Sequence, residues 1–115
     1  MIKMLVAVIN NTEKVEKILN VLEEGGITSG CIIDGKGMNH SHHIHDEEDK
    51  QHVGILRNFL NPERVPSKTL LFVAESEKIT FIKNSILDAF KGSKESDLGF
   101  IAEFDACNTT LITNK

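Results

Sequence analysis

The sequence predicts an α+β fold, with one antiparallel sheet of four strands and two helices packed on a single face. Three observations carry that expectation. The apolar pattern runs strand, helix, strand and then repeats the same order; one long polar stretch joins the two halves; and 115 residues suffice for a single core, burying roughly two-thirds of the unfolded chain's surface. One domain over residues 1–115 is expected, interrupted by a polar loop at about 38–52.

Residues 2–9 read Ile-Lys-Met-Leu-Val-Ala-Val-Ile, an almost unbroken apolar run stopped by Asn10-Asn11. Such a run marks a strand covered on both faces or lying at an interface. Over 12–24 the period changes. Val15, Ile18, Leu19 and Leu22 fall at helical spacing, Asn10 or Asn11 can cap the amino end, and Gly25-Gly26 closes the helix. Residues 27–34 regain β character through Cys31, Ile32 and Ile33, and Asp34-Gly35-Lys36-Gly37 is expected to end that strand in a turn. Residues 53–60 have apolar spacings of three and four before Asn61-Pro62, the pattern of a short helix or packed turn. Residues 68–74 form the third strand. Ser76 is a candidate cap for a second helix with Ile79, Ile82, Ile86 and Phe90 inward, ended by Gly92. Residues 93–98 are a polar connection, and 99–105 alternate Phe100, Ala102 and Phe104 against Ile101, Glu103 and Asp105, as in a half-buried strand. Glu103 and Asp105 read as a solvated face rather than a carboxylate dyad. Residues 109–113 suggest a further short edge strand.

Two strand-helix-strand halves with right-handed crossovers close most simply into the ferredoxin-like βαββαβ sandwich. Its second sheet face is then bare. A face built from runs as apolar as residues 2–9 predicts self-association, because monomers rarely leave so large an apolar patch in water.

The chemistry gathers in residues 38–52, which hold all five histidines, four of the seventeen acids and one lysine. The stretch carries −3 of the formal charge of −4, so the body is nearly neutral. His40, His42, His43, His45 and His52, beside Asp46, Glu47, Glu48 and Asp49, offer the mixture of imidazole and carboxylate that suits Zn, Ni or Cu(II). In extended chain His40 and His42 point to one side; in a helix His45 would face Asp49, and Glu48 would face His52. The alternatives are a solvated polar loop whose histidines are incidental and a pH sensor. A metal-dependent hydrolase is disfavoured, because catalytic ligands need a rigid supporting shell, which one crowded segment does not give. No enzyme activity is expected.

With neither Trp nor Tyr for base stacking and a net negative charge, nucleic acid is not an expected partner. No apolar run reaches the ~18–20 residues of a membrane span, so no membrane insertion is expected. No secretory leader opens the sequence, and a cytoplasmic protein is expected. Cys31 and Cys107 form no CxxC pair and are expected as reduced thiols. Cys31 is expected to pack as a small hydrophobe, and Cys107 to be exposed with no neighbouring base.

Ile27-Thr28-Ser29-Gly30 leading into Ile32-Ile33-Asp34-Gly35-Lys36-Gly37-Met38, then Ile55-Leu56-Arg57-Asn58-Phe59-Leu60, Lys68-Thr69-Leu70-Leu71-Phe72-Val73 and Leu98-Gly99-Phe100-Ile101, follow one another along nearly the whole chain. In this order they resemble the P-II-like signalling proteins, the superfamily around the nitrogen-regulatory P-II proteins. The resemblance implies a homotrimer with the sheets at its centre and a long mobile loop after the second strand. It also implies small effectors, often adenine nucleotides, in clefts between subunits, and a membrane transporter or an enzyme as target. Gly35, Lys36 and Gly37 would border the cleft at the loop's base and Gly99 on the facing loop. The sequence also departs from the pattern. Ser96-Asp97-Leu98-Gly99 and Cys107-Asn108-Thr109-Thr110 stand where nitrogen-regulatory members carry phosphate-binding basic residues; a buried triphosphate without them is costly. Residues 34–37 also lack the spacing of a P-loop, and the modifiable tyrosine of that loop is absent. The resemblance thus implies a non-enzymatic regulator, and the histidines add a second reading, a metal-homeostasis protein of the same build.

Overall fold

The computed structural model describes residues 1–40, 64–95 and 97–114. Its elements are β1 (Ile2–Ile9), a 3-10 turn (Thr12–Lys14), α1 (Val15–Glu24), β2 (Cys31–His40), β3 (Arg64–Glu75), α2 (Ser76–Ala89) and β4 (Gly99–Asp105). The strands form one sheet in the order β2-β3-β1-β4, with every neighbouring pair antiparallel. This is the predicted ferredoxin-like α+β sandwich.

Alternation along the central strands decides which side chains meet the helices. Leu5, Ala7 and Ile9 of β1 and Leu70 and Phe72 of β3 are buried with Val15, Ile18, Leu22, Ile79, Ile82 and Ile86 in a single core. The start of the helical region is fixed as the sequence predicts: the Asn11 side chain accepts from the Glu13 backbone N–H at 3.3 Å, satisfying a donor the helix itself cannot. At the far end of α1, Gly26 takes φ of 90°. There its N–H reaches the Glu23 carbonyl at 3.0 Å, and the Ile27 N–H reaches the Leu22 carbonyl at 2.8 Å. These two bonds close the helix in a Schellman motif and return Ile27 against the core.

Several boundaries differ from expectation. Ser76 does not cap α2 with its side chain but is the helix's first residue; its N–H donates to the Met1 carbonyl at 2.9 Å, so the start of the neighbouring strand β1 supplies the acceptor. Residues 34–37 do not turn. Strand β2 continues through them, pairing Asp34 with Lys68, Gly35 with Ser67 and Lys36 with Pro66. Correspondingly, β3 begins at Arg64, four residues before the predicted start. Before Lys68, β3 does not pair with β1, so Pro66, which lacks an N–H, has a free edge on that side, where proline is tolerated. No strand forms at 109–113. After the turn at Asn108, with φ of 54°, Leu111 and Ile112 stand exposed. The predicted helix or turn at 53–60 lies outside the described residues.

Among the described residues nothing covers the outer sheet face, as the pattern predicts. Cross-strand partners share a face, and Met4, Val6 and Val8 pair on one side with Val73, Leu71 and Thr69 and on the other with Phe104, Ala102 and Phe100. Phe100 is 61% exposed and Phe104 50%, although each sits on a strand whose opposite face builds the core. Among the described residues no helix is long and apolar enough to cross a membrane.

Removing buried bulk should be felt wherever the helices meet the sheet. Ile82→Ala, at a fully buried position, is expected to lower the unfolding free energy by about 2–5 kcal/mol. Asn20→Ala on the outward face of α1 should stay within about 0.5 kcal/mol; urea titrations of both variants read the contrast.

Candidate functional site

Register places the glycines singled out in the sequence at one end of the sheet. A single row runs Asp34, Lys68, Ile9, Gly99 across the four strands. Gly35 lies one residue farther along β2, opposite Ser67. Strands β2 and β4 are the two edges of the sheet, so Gly35 and Gly99 are three strand spacings apart, about 14 Å. The residues expected to border one cleft therefore do not converge within one chain. A ligand touching both must reach across the end of the sheet or take one edge from each of two chains.

On the β2 side, Gly35 sits over Ser67, a buried polar side chain; a methyl group at Gly35 would lie 3.3 Å from the Ser67 hydroxyl oxygen. Beside them Lys68 Nζ and an Asp34 carboxylate oxygen are 3.0 Å apart, a cross-strand ion pair of opposite charges on one face. Farther out, the Arg64 guanidinium donates to the Met38 carbonyl at 2.6 Å, tying the two strands together where their ladder is irregular. Between the Lys36–Pro66 pair and the His40–Arg64 pair, β2 advances four residues and β3 two, a bulge that bends the ribbon. Lys36 and Gly37 lie in or next to this bulge.

On the β4 side, Gly99 has φ of 128°, and a side chain there would overlap the Val8 carbonyl oxygen. Only glycine fits such a position. The segment leading into it is anchored to the turn after β1: the Asn10 N–H donates to the Leu98 carbonyl at 2.9 Å, the Asn10 side-chain amide to Asp97 at 3.2 Å, and that of Asn11 to Glu95 at 3.3 Å. Between this segment and the end of α2 opens a largely apolar cleft of about 320 Å³, lined by Ile86, Leu87, Phe90, Phe100 and Gly99 among others. Lys83 also lines it and pairs with Glu103 at 3.4 Å. Glu103 thus reaches toward α2 through Lys83, and it and Asp105 are both exposed, as the sequence predicts of a solvated face.

The expected metal ligands are not brought together among the described residues, where no three His, Cys, Asp or Glu side chains gather. His40 is the last residue of β2; His42, His43, His45 and His52 lie outside the described residues. Cys31 is exposed rather than packed, because it opens an edge strand and pairs with Leu71 on the bare face. Cys107 is exposed as expected. The anchoring contacts of Asn10, Asn11 and Arg64 were not visible in sequence, since each depends on a pairing between distant segments.

No family model and no curated protein matches this chain. Among solved structures it is similar to a crystal structure of Arabidopsis thaliana PII bound to citrate, with a TM-score of 0.62 and 12% identity, covering 91% of this chain and 77% of that one. The chain has the PII-like fold.

Gly99→Ala tests the positive-φ entry to β4. The forced backbone and the Val8 overlap are expected to cost about 1–3 kcal/mol, seen as a lower denaturant midpoint, with amide exchange accelerated over residues 99–105 more than in β3.

Proposed function

We propose that this chain is a non-enzymatic regulatory protein of P-II-like type that acts in the cytoplasm as a homotrimer. It binds a small effector, an adenine nucleotide being the leading class, at clefts between subunits, and reports occupancy to a transporter or an enzyme through residues 38–52. Gly35, Lys36 and Gly37 line the cleft from one side and Gly99 from the other. The observation that carries this reading is the bare face, with Phe100 and Phe104 half or more exposed beside Met4, Val6 and Val8. An apolar sheet face of that kind calls for a covering surface, and further copies of the chain supply one. Association also resolves the separation of Gly35 from Gly99, because edges that are about 14 Å apart within a chain can adjoin between chains. That a protein of this fold crystallises with citrate supports small-effector binding in general.

A second reading keeps the same trimeric build but makes the histidine-rich stretch a chelator of Zn, Ni or Cu. It is favoured by five imidazoles and four carboxylates within residues 38–52.

Sedimentation and calorimetry separate these readings. The purified chain should sediment as a trimer, and Val6→Glu, which puts a charge in the middle of the bare face, should sediment as a folded monomer with unchanged far-ultraviolet dichroism and no effector heat. A monomeric parent chain would overturn the subunit-cleft reading. Titration with ATP, ADP and cyclic nucleotides should give saturable heat that survives replacing His40, His42, His43 and His45 by Ala. Submicromolar Zn, Ni or Cu binding abolished by those same replacements, with no nucleotide heat, would establish the second reading in place of the first.

A further inference from the structure

We infer that residues 109–113 form their strand on the free edge of β2 in a second copy of this chain, so that copies exchange the arm that follows β4; this stands apart from the effector reading above. Thr109-Thr110-Leu111-Ile112-Thr113 is a run of strand formers without charge, glycine or proline, yet it pairs with nothing in its own chain. Among the described residues the last main-chain hydrogen bond along the arm runs from the Ala106 N–H to the Ile2 carbonyl at 3.0 Å. Beyond it Cys107 to Asn114 are all exposed, Leu111 by 81% and Ile112 completely. Two adjacent aliphatic side chains, which a strand directs to opposite faces, are left in water.

Strand β2 supplies an edge that matches on both faces. No described strand pairs with its outer side, and such an edge is a template for a further strand unless charge, proline or a covering segment blocks it. Over Cys31-Ile32-Ile33 it carries no charge. Register sets Cys31 and Ile33 opposite Leu71 and Thr69 on the bare face, and Ile32 opposite Leu70 on the helix face; Ile32 is 47% exposed and Ile33 46%. Beside Ile32 opens a cavity of about 360 Å³, walled by Leu19, Leu22 and Phe72. A strand laid on this edge puts Leu111 against one face and Ile112 against the other, so that each covers an isoleucine. The outer edge of β4 fits less well, because Glu103 and Asp105 share its helix face with Ile101.

Within one chain the run cannot be laid along that edge. Strands β4 and β2 are the opposite edges of the sheet, and after the turn at Asn108 Thr109 and Leu111 line a groove with Ile2, Val73 and Thr28. The run is spent crossing the ends of β1 and β3, which leaves Ile112 and Thr113 alone to meet β2. The arm of a second copy has no sheet to cross.

Disulfide trapping tests the exchange in a Cys107→Ser background, where Cys31 is the one native thiol left. Thr110→Cys, Leu111→Cys or Ile112→Cys, added singly and oxidised mildly, should at one or more positions link Cys31 of one copy to the arm of another, giving a covalent dimer or larger ring that Cys107→Ser alone does not form. A bridge confined to single chains, or none from any of the three positions, would overturn the inference. The Leu111→Asp, Ile112→Asp double variant, altered at two exposed positions, should keep its far-ultraviolet dichroism, weaken self-association by about tenfold or more and lose amide-exchange protection over residues 31–33. Association and protection unchanged in this variant would overturn the arm exchange and leave assembly through the bare face standing. A parent chain whose residues 31–33 exchange freely at every concentration leaves the edge to a foreign extended peptide, and that result too would overturn the inference.

Discussion

Leu5 and Ala7 on β1, with Leu70 and Phe72 on β3, form the floor on which Ile18, Leu22, Ile79 and Ile82 rest, and the other elements take their places from that layer. Because β1 and β3 are the two inner strands, their helix-facing side chains are shielded from every side, and these positions are among the least exposed in the described chain. The outer strands pair with this centre through backbone hydrogen bonds and contribute fewer buried side chains. The same two strands are apolar on their opposite faces as well. Alternation that would normally set polar residues outward is missing, and the sheet is finished on one side only.

This one-sidedness links fold to function. Under the proposed reading, a site split between two sheet edges would couple effector occupancy to the arrangement of whole subunits. The glycines serve different physical ends there. Gly99 meets a backbone constraint, since its φ and the nearby Val8 carbonyl exclude any side chain. Gly35 meets a spatial one, opposite the buried Ser67. Neither is a phosphate cradle of the kind formed at a helix amino terminus, in agreement with the absence of P-loop spacing.

Much of the fold was legible because periodicity reports which face a residue uses. The alternation of Val15, Ile18 and Leu22, and of Phe100, Ala102 and Phe104, placed helix and strand directly, and the double strand-helix-strand order limited the topology. The β2–β3 ribbon was not legible. Residues 34–37 and 64–67 hold glycine, proline, serine and charge with Val65 alone β-branched, and they are extended because each finds its partner in the other, a non-local fact that outweighs local preference. The candidate site was legible only as glycines at strand ends. The ion pairs Asp34–Lys68 and Lys83–Glu103 join segments far apart in sequence, and nothing local marks them. Cys31 was misplaced for a related reason: an apolar neighbourhood in sequence says little about depth when the strand lies at an edge.

The irregular stretch of the ribbon adds two residues to β2 relative to β3. Since side chains alternate with a period of two, an even excess re-aims the strand without exchanging its sides. The Lys36–Pro66 and His40–Arg64 pairs on either side of the bend consequently stand in the same phase of the ladder. Deleting one residue from 37–39 would make that excess odd and break the phase shared by the two flanking pairs, so within this stretch the parity of the chain is as much a specification as its composition.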